Sequence, residues 1–324
     1  MQKICVNMEY LILILSLAGI VLGADFLVKG AVVVARKCRV SSFVIGAVIV
    51  GIGTSLPELV VSTVGAIGGN SEVAIGNVVG SNIFNVFAIL GLTALFFPIA
   101  VSRENMKFEI PFCIAVSVLL MLLVYNFFVG GEPRLGRWDG AALFLVFTSF
   151  MWISLRRGKS SAATVGESVE EENKSLWFAA FSILGGLAAL IVSSNFFVDE
   201  AVAIARKLGV SDAFISITLL ACGTSLPELA ASVTAAVKED TDMALGNIIG
   251  SNIFNATMIL GTASLITPLT TGKIGLVDYG AMILAAVLPM IFGIRGKITR
   301  IEGLLMLLCY AAYTWYIVTY VMAV

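Results

Sequence analysis

The chain has 324 residues, of which 59% are apolar and only 13% are charged. Its mean hydropathy of +1.02 excludes a soluble multidomain protein and predicts a polytopic membrane protein. The net charge of −1 with no basic patch excludes nucleic acid as a partner. The lack of histidine removes imidazole as a base, proton relay or metal ligand, and the scattered cysteines have no ligand spacing, so no cofactor is expected.

Apolar runs along the chain predict an all-α fold with ten transmembrane helices. In chain order they span about residues 10–35, 42–69, 73–97, 106–129, 138–156, 176–205, 212–237, 243–268, 275–294 and 299–322. The first run follows Lys3 and imitates a secretory signal peptide. It belongs to the internal repeat described next, so we expect it to remain in the mature chain.

The chain contains an internal repeat with an offset of 170 residues. The letters "GTSLPEL" at 53–59 return at 223–229, and "GNVVGSNIFN" at 76–85 returns as "GNIIGSNIFN" at 246–255. Residues 1–156 therefore form a first repeat of five helices, 157–175 a polar linker, and 176–324 a second repeat of five helices. Because five is odd, the second repeat enters the membrane from the opposite side, which predicts inverted-topology repeats.

Basic residues are unevenly divided between the two ends of the predicted helices. Thirteen lysines and arginines fall on the side of the linker and six on the other side, while Lys29 lies within the first helix. This bias predicts a cell (inner) membrane protein with a cytoplasmic linker and both termini outside. Lys29 is expected to reach the cytoplasmic interface in a structural role.

The first repeated block combines a proline and a carboxylate within a predicted membrane helix. Pro57 has no N–H for the carbonyl of Gly53, so the helix should kink there and free backbone oxygens beside Glu58. Thr54 and Ser55 lie four and three residues before Glu58, on the same helix face. The second copy repeats the pattern at Gly223, Thr224, Ser225, Pro227 and Glu228.

Two such breaks meeting near the midplane would form an all-oxygen cage for a hard cation such as Ca2+. A proline kink with only a structural role would explain one copy. Two glutamates near the bilayer centre in duplicated contexts favour a cation pathway instead.

The second repeated block supports this interpretation. Gly76 and Gly80 have the G-x-x-x-G spacing that lets another helix approach closely, and Ser81 and Asn85 lie one turn apart on an adjacent face. Close approach would bring these oxygens to the carboxylates. The second copy presents Gly246, Gly250, Ser251 and Asn255, while supporting or packing roles are expected for Asn77, Asn82, Asn247 and Asn252.

Over nearly the whole chain these duplicated blocks resemble the cation/calcium antiporter superfamily, and within it the sodium/calcium exchangers of prokaryotic type. The resemblance implies helices two, three, seven and eight around four cation sites, with the long first and sixth helices sliding across that core. It implies Ca2+ and Na+ as transported substrates, with the central Ca2+ between Glu58 and Glu228 and the carbonyls of Thr54 and Thr224. Matched motif by motif, the implied metal ligands are Gly51 and Ala221 through their carbonyls, and Thr54, Ser55, Glu58, Ser81, Asn85, Thr224, Ser225, Glu228, Ser251 and Asn255.

The chain departs from some members of that family at two positions. Where those members carry an aspartate in the third or eighth helix, this chain has Asn85 and Asn255. The predicted site therefore has two formal negative charges, which one Ca2+ or two Na+ neutralise. A third Na+ would leave an excess positive charge, so three-to-one exchange does not follow from the sequence.

Sodium-driven Ca2+ antiport is the favoured function, and proton-driven Ca2+ antiport is the alternative because close carboxylates also carry protons. An intramembrane enzyme would need a nucleophile–histidine pair or cofactor motif that the chain lacks, so no enzymatic activity is expected. A channel fits the composition, but inverted repeats around a midplane site suit alternating access better. Beyond the two ions and the lipid bilayer, no obligatory protein partner is evident.

Overall fold

The computed structural model of the protein describes residues 2–127, 131–158, 174–208 and 221–321. The first half contains α1 (Gln2–Cys38), α2 (Ser42–Thr54), α3 (Leu56–Ile67), α4 (Ser71–Phe96), α5 (Asn105–Val124) and α6 (Arg137–Gly158). The second half contains α7 (Leu176–Lys207), α8 (Ala221–Gly223), α9 (Leu226–Val237), α10 (Thr241–Ile266), α11 (Leu276–Gly293) and α12 (Arg300–Tyr316). Four two-residue strands lie in the turns: β1 (Ile99–Ala100), β2 (Arg134–Leu135), β3 (Leu269–Thr270) and β4 (Lys297–Ile298).

Among the described residues, eight helices are long and apolar enough to cross a membrane, and α2 with α3 forms a ninth span if the bent pair is counted as one. This confirms a mostly helical membrane protein. The predicted seventh helix, 212–237, is described only from Ala221 onward, because 209–220 lie outside the described residues. The predicted linker begins within the last turn of α6, and 159–173 lie outside the described residues. The sequence did not predict the short strands.

The two most buried spans, α4 and α10, carry the second repeated block. In their most apolar stretches 72% and 83% of residues are buried, compared with 11% in α12. The glycines, serines and asparagines of this block would leave polar groups unsatisfied against lipid. Placing these two helices at the centre lets neighbouring helices supply their hydrogen-bond partners.

Helices α1 and α7 pack against each other along most of their lengths. Small residues allow this close approach: a Cβ atom added to Gly23 would lie 2.9 Å from the Gly186 carbonyl oxygen, and one added to Gly30 would lie 2.8 Å from the Ala179 carbonyl oxygen. The pair therefore forms one unit, which also contacts α2 and α9.

The glycines predicted to allow close helix contact do so in one copy of the block. Gly246 packs on the backbone of Phe43 in α2, and Gly250 packs on Ala47. In the first copy, a Cβ atom on Gly76 would meet only Ile274, at 3.4 Å, and one on Gly80 would meet nothing within 4 Å. By the repeat, the counterpart of residues 43–47 is 213–217, which lies outside the described residues.

At each end of the molecule, the turn that follows one of the two central helices, α4 and α10, contacts the start of the other. At one end the N–H of Ala100, after α4, donates to Thr241 Oγ1 at the start of α10 (3.3 Å), and β1 pairs with β4. At the other end the N–H of Lys273, after α10, donates to Glu72 Oε1 at the start of α4 (2.9 Å), and β2 pairs with β3. The two central helices are therefore antiparallel.

A group of charged residues links α1 to the turn between α9 and α10. Asp25 accepts from Lys238 and from Lys29, both at 2.6 Å. Burial raises the pKa of the Asp240 carboxyl in this turn, while hydrogen bonds and the positive charge of Arg36 on α1 oppose that shift. We call Asp25, Arg36, Lys238 and Asp240 the α1 clamp. Lys29 pairs with Asp25 on its own helix, and its position at the membrane interface stays a prediction.

Candidate cation-binding site

Both copies of the proline motif break a helix at the serine before the proline. Helices α2 and α3 are bent by 47° where Ser55 separates them. Ser55 has φ −84° and ψ 11°, its counterpart Ser225 has φ −92° and ψ 9°, and each proline follows in the first turn of the next helix. Proline is tolerated there because the first helical N–H groups have no intrahelical partner. The predicted break is therefore confirmed in the first copy, and the second shows the same local geometry.

The two breaks meet in the interior, and each serine bonds the glutamate of the other repeat. Ser55 Oγ donates to Glu228 Oε1 at 2.7 Å, and Ser225 Oγ donates to Glu58 Oε1 at 3.0 Å. Both glutamates are at most 1% exposed. No lysine or arginine of the described part of the chain forms an ion pair with either one. Two buried carboxylates thus share one site with no basic counter-charge.

The threonines of the motif, like the serines, lie next to the glutamate of the other repeat. The Thr54 side chain lies beside Glu228, and the Thr224 side chain lies beside Glu58. Thr54 Oγ1 also lies 3.0 Å from the carbonyl oxygen of Val50 and 3.3 Å from Asn247 Oδ1. Each glutamate is therefore surrounded by hydroxyl groups from the opposite repeat.

Several buried oxygens at the site have no hydrogen-bond partner. They are Oε2 of Glu58 and Glu228, Oδ1 of Asn85 and Asn255, Oγ of Ser81 and Oγ1 of Thr224. A buried polar atom without a partner costs about 1–3 kcal/mol, and a bound cation would supply the missing partner of each oxygen. Carboxylate, amide and hydroxyl oxygens are the ligands that hard cations prefer.

Asn85 and Asn255 are oriented by a reciprocal set of asparagine contacts. Asn85 Nδ2 donates to Asn252 Oδ1 at 3.0 Å, and Asn255 Nδ2 donates to Asn82 Oδ1 at 3.2 Å. Asn82 and Asn252 in turn each donate to the other's backbone carbonyl at 3.1 Å. Because the amide nitrogens are engaged, the amide oxygens of Asn85 and Asn255 remain available.

A π-helical segment begins at each of these asparagines, at Asn85–Leu90 in the first repeat and Asn255–Ile259 in the second. Such segments inside α-helices are frequent at functional sites. These π-helical segments were not predicted from the sequence.

Asn77 and Asn247 connect each broken helix to its neighbour. Asn77 Nδ2 donates to the Glu58 carbonyl oxygen (3.3 Å) and to Ser62 Oγ (3.0 Å). Asn247 Nδ2 donates to the Glu228 carbonyl oxygen (3.1 Å) and to its own serine partner at 2.8 Å. That partner is Ser232, the repeat counterpart of Ser62. Both serines lie outside the predicted ligand set, although the 170-residue offset also pairs them.

The remaining predicted ligands differ between the repeats. Ser251 Oγ donates to the Gly51 carbonyl oxygen at 3.2 Å, and this carbonyl also accepts from the Ser55 N–H at 3.1 Å. The Gly51 carbonyl is thus already hydrogen-bonded. Ser81, the counterpart of Ser251, has a free hydroxyl. Ala221 begins the described part of the second broken helix.

A cavity of about 450 Å³ reaches the site from one end of the molecule. Asn77 and Ser81 lie at its inner end, and Glu72 and the exposed Lys273 lie near the turn that joins α10 to α11. Its walls come from α3, α4, α11 and α12. We call this the access cavity, because it joins a residue of the predicted ligand set to the protein surface.

Comparison with known proteins places this geometry in a family. Residues 8–156 and 178–319 match the family described as sodium/calcium exchanger protein. The putative antiporter CaxA of Alkalimonas amylolytica is 36% identical, over 93% of this chain and 97% of that protein. The sodium/calcium exchanger MaX1 of Methanosarcina acetivorans is 34% identical, over 95% of this chain and 98% of that protein.

A solved structure is similar over the same extent. The sodium-calcium exchanger NCX_Mj, soaked with 10 mM Na+ and no Ca2+, has a TM-score of 0.82 at 32% identity, covering 97% of this chain and 99% of that one. These proteins are named as antiporters and exchangers rather than enzymes. The chain described here is therefore a member of the sodium/calcium exchanger family.

Proposed function

We propose that this protein is a secondary active antiporter that exchanges Ca2+ for Na+ by alternating access around Glu58 and Glu228. Family membership supports Na+/Ca2+ exchange as the activity. One observation carries the detailed proposal: each glutamate accepts a hydrogen bond from the serine of the other repeat and keeps its second oxygen unpartnered.

The charge of the site suits a divalent cation. Two carboxylates without a basic partner give the site a formal charge of −2, which one Ca2+ neutralises. Leaving these carboxylates buried and uncompensated would be costly in a membrane interior. Two Na+ neutralise the same charge. Either one Ca2+ or two Na+ therefore balance the two carboxylates, whereas both substrates together would leave an excess positive charge.

The neutral oxygens complete the ligand set of the proposal. Asn85, Asn255 and Ser81 present buried, unpartnered oxygens near the carboxylates. Ca2+ takes six to eight oxygen ligands, and two carboxylates alone supply at most four. The central Ca2+ would lie between the glutamates. The hydroxyls of Thr54, Ser55, Thr224, Ser225 and Ser251, and the carbonyls of Gly51 and Ala221, would serve Na+ on either side.

Alternating access requires a site that the two repeats share and that opens to one side at a time. Two inverted five-helix repeats meet the first condition, and the antiparallel arrangement of α4 and α10 supports this topology. So does the strand pairing: β1 and its repeat counterpart β3 pair with different strands at opposite ends of the molecule. The access cavity reaches the site from only one of these ends among the described residues.

Orientation in the membrane completes the proposal, with both termini outside and the linker cytoplasmic. The access cavity then opens to the outside. Single cysteines placed at Ser161 and after Val324, in a variant without native cysteines, test this assignment. The first should react with an impermeant reagent only from the cytoplasm and the second only from outside. Labelling from the same side would contradict the inverted repeats.

Proton-driven Ca2+ exchange is the second candidate, because a pair of close, buried carboxylates can also bind protons. Both candidates predict movement of 45Ca2+ into proteoliposomes, but with different driving gradients. Uptake driven by an outward Na+ gradient at equal pH supports the proposal. Uptake driven only by a proton gradient would select the alternative. Absence of both in folded, reconstituted protein would contradict Ca2+ antiport.

A further inference from the structure

The wall of the access cavity contains a carboxylate that no ligand set described above includes. Asp278, in the first turn of α11, is 5% exposed and lines the same cavity as Ser81. Most of the cavity wall is apolar and aromatic, with Phe84 and Tyr310 in edge-to-face contact. A cation crossing such a passage loses part of its hydration, so a fixed negative charge in the wall has a large effect there.

The Asp278 carboxylate is held rigidly. Its Oδ2 accepts from the Gly275 N–H at 2.7 Å, and its Oδ1 accepts from Tyr313 Oη at 2.8 Å. The first bond caps α11, which is a structural role. The second ties the carboxylate to α12 across the cavity wall and is not needed for capping. None of the lysines and arginines in the described ranges forms an ion pair with Asp278.

The corresponding position of the other repeat is not a carboxylate. The counterpart of Asp278 is Phe108, whose ring lies 5.6 Å from Phe112 and 6.3 Å from Phe150, measured between centroids. Aromatic rings therefore pack where the related end of the molecule has a carboxylate. Glu109, next to Phe108, is also buried, but it does not line the access cavity, whereas Asp278 does.

We propose that Asp278 attracts the incoming cation in the access cavity and so favours Ca2+ over Na+ on this side of the protein. This inference rests on the proposed exchange of the two ions. The attraction between a fixed charge and Ca2+ is twice that for Na+ at the same position. If removing the charge raises the apparent KM for Na+ by some factor, it should raise that for Ca2+ by about the square of the factor.

The test is Asp278→Asn, which keeps the shape and removes the charge. In proteoliposomes of defined orientation, initial rates are measured against ion concentration on the cavity side and then on the opposite side. We expect KM on the cavity side to rise about tenfold for Ca2+ and about threefold for Na+, with a smaller effect at high ionic strength. KM on the opposite side and kcat should change little. Unchanged KM values, equal factors for the two ions, or equal effects on both sides would overturn the inference.

Two further variants separate charge from structure. Tyr313→Phe removes the hydrogen bond but leaves the charge, so it should change KM less than Asp278→Asn does. Lys273→Gln removes a positive charge from the exposed mouth and should lower KM for Ca2+ on the cavity side. This variant keeps the inference testable if Asp278→Asn fails to fold, and an unchanged or raised KM would then overturn it. If the unaltered protein does not transport Ca2+, the result contradicts the proposed function rather than this inference.

Discussion

The turns between α3 and α4 and between α9 and α10 are related by the internal repeat, yet they differ in charge and contacts. Residues 68–70 read Gly-Gly-Asn, whereas 238–240 read Lys-Glu-Asp. The charged turn is held by the α1 clamp, in which Lys238 lies 2.6 Å from Asp25. The uncharged turn lies at the end of the molecule where the access cavity opens.

The residues at the centre are more alike, although the Ser251 hydroxyl bonds the Gly51 carbonyl while the Ser81 hydroxyl is free. Serine–glutamate bonds, reciprocal asparagine contacts and the paired π-helical segments occur in both halves. The candidate site therefore has approximate twofold symmetry, while its surroundings do not. Substitutions in the site should have equal effects in the two repeats, and substitutions outside it should have effects in one repeat only.

The strongest test of the central symmetry is Glu58→Gln compared with Glu228→Gln. Each change removes one of the two charges that balance Ca2+, so each should abolish measurable 45Ca2+ flux in proteoliposomes. Size-exclusion chromatography would show that the purified variants remain folded. Near-normal flux from either variant would show that the glutamates are not the shared centre.

The swapped hydrogen bonds predict equal losses from Ser55→Ala and Ser225→Ala. A hydrogen bond to a charged group contributes about 1.5–3 kcal/mol, so each variant should raise the apparent KM for Ca2+ by about tenfold or more. Ser62→Ala serves as a control close in sequence, because its hydroxyl bonds Asn77 rather than a carboxylate. A large effect at one serine and none at the other would break the proposed symmetry.

A matched pair of charge additions, Asn255→Asp and Asn85→Asp, probes the neutral oxygens. A third carboxylate near two others raises the proton affinity of the group, so protons should compete with Ca2+ as the pH falls. Flux measured from pH 5.5 to 8.5 with saturating Na+ on the opposite side should fall several-fold further at pH 5.5 than in the parent. An unchanged profile in a transporting variant would place that asparagine outside the cation site.

The smallest expected effect concerns the α1 clamp. Both side chains of the Asp25–Lys238 pair are about 30% exposed, so solvent screening limits its contribution to about 0.2–1 kcal/mol. Asp25→Asn or Lys238→Gln should therefore shift the balance away from this conformation by about twofold. The readout is the labelling rate of a cysteine at Thr314 in the access cavity, which should fall. If the labelling rate of the double variant falls by the product of the two single-variant factors, Asp25 and Lys238 are not coupled.

Much of the candidate site could be predicted because its residues lie within two blocks that recur 170 residues later, the first without change and the second with two valines replaced by isoleucines. Pro57 and its counterpart fix the helix breaks locally, and the identical letters around Glu58 and Glu228 indicate one shared site. The pairing of Ser55 with Glu228 could not be predicted, since hydroxyl-to-carboxylate spacing within one helix favours Glu58 as its partner. The same holds for Asn82 and Asn252, whose contacts cross between α4 and α10.

The asymmetric features were not predicted, because each depends on residues without a repeated counterpart. With the 170-residue offset, Asp25 corresponds to Asn195 in the other repeat, and Asp278 corresponds to Phe108. Identity between the two repeats does not indicate such positions. They become visible only when the structure shows that Asp25 meets Lys238 and that Asp278 faces a cavity.

The exchange of hydrogen bonds between the two motifs also constrains how the halves of the gene can diverge after a duplication. A substitution in either copy removes a partner from the glutamate of the other copy, so neither motif can drift independently although 170 residues separate them. The residues directly after the motif make no such hydrogen bond to the other repeat, and they differ: Val60 and Val61 correspond to Ala230 and Ala231. The two halves differ directly after the motifs, and the seven identical letters contain the serine and glutamate whose hydrogen bonds cross between the repeats.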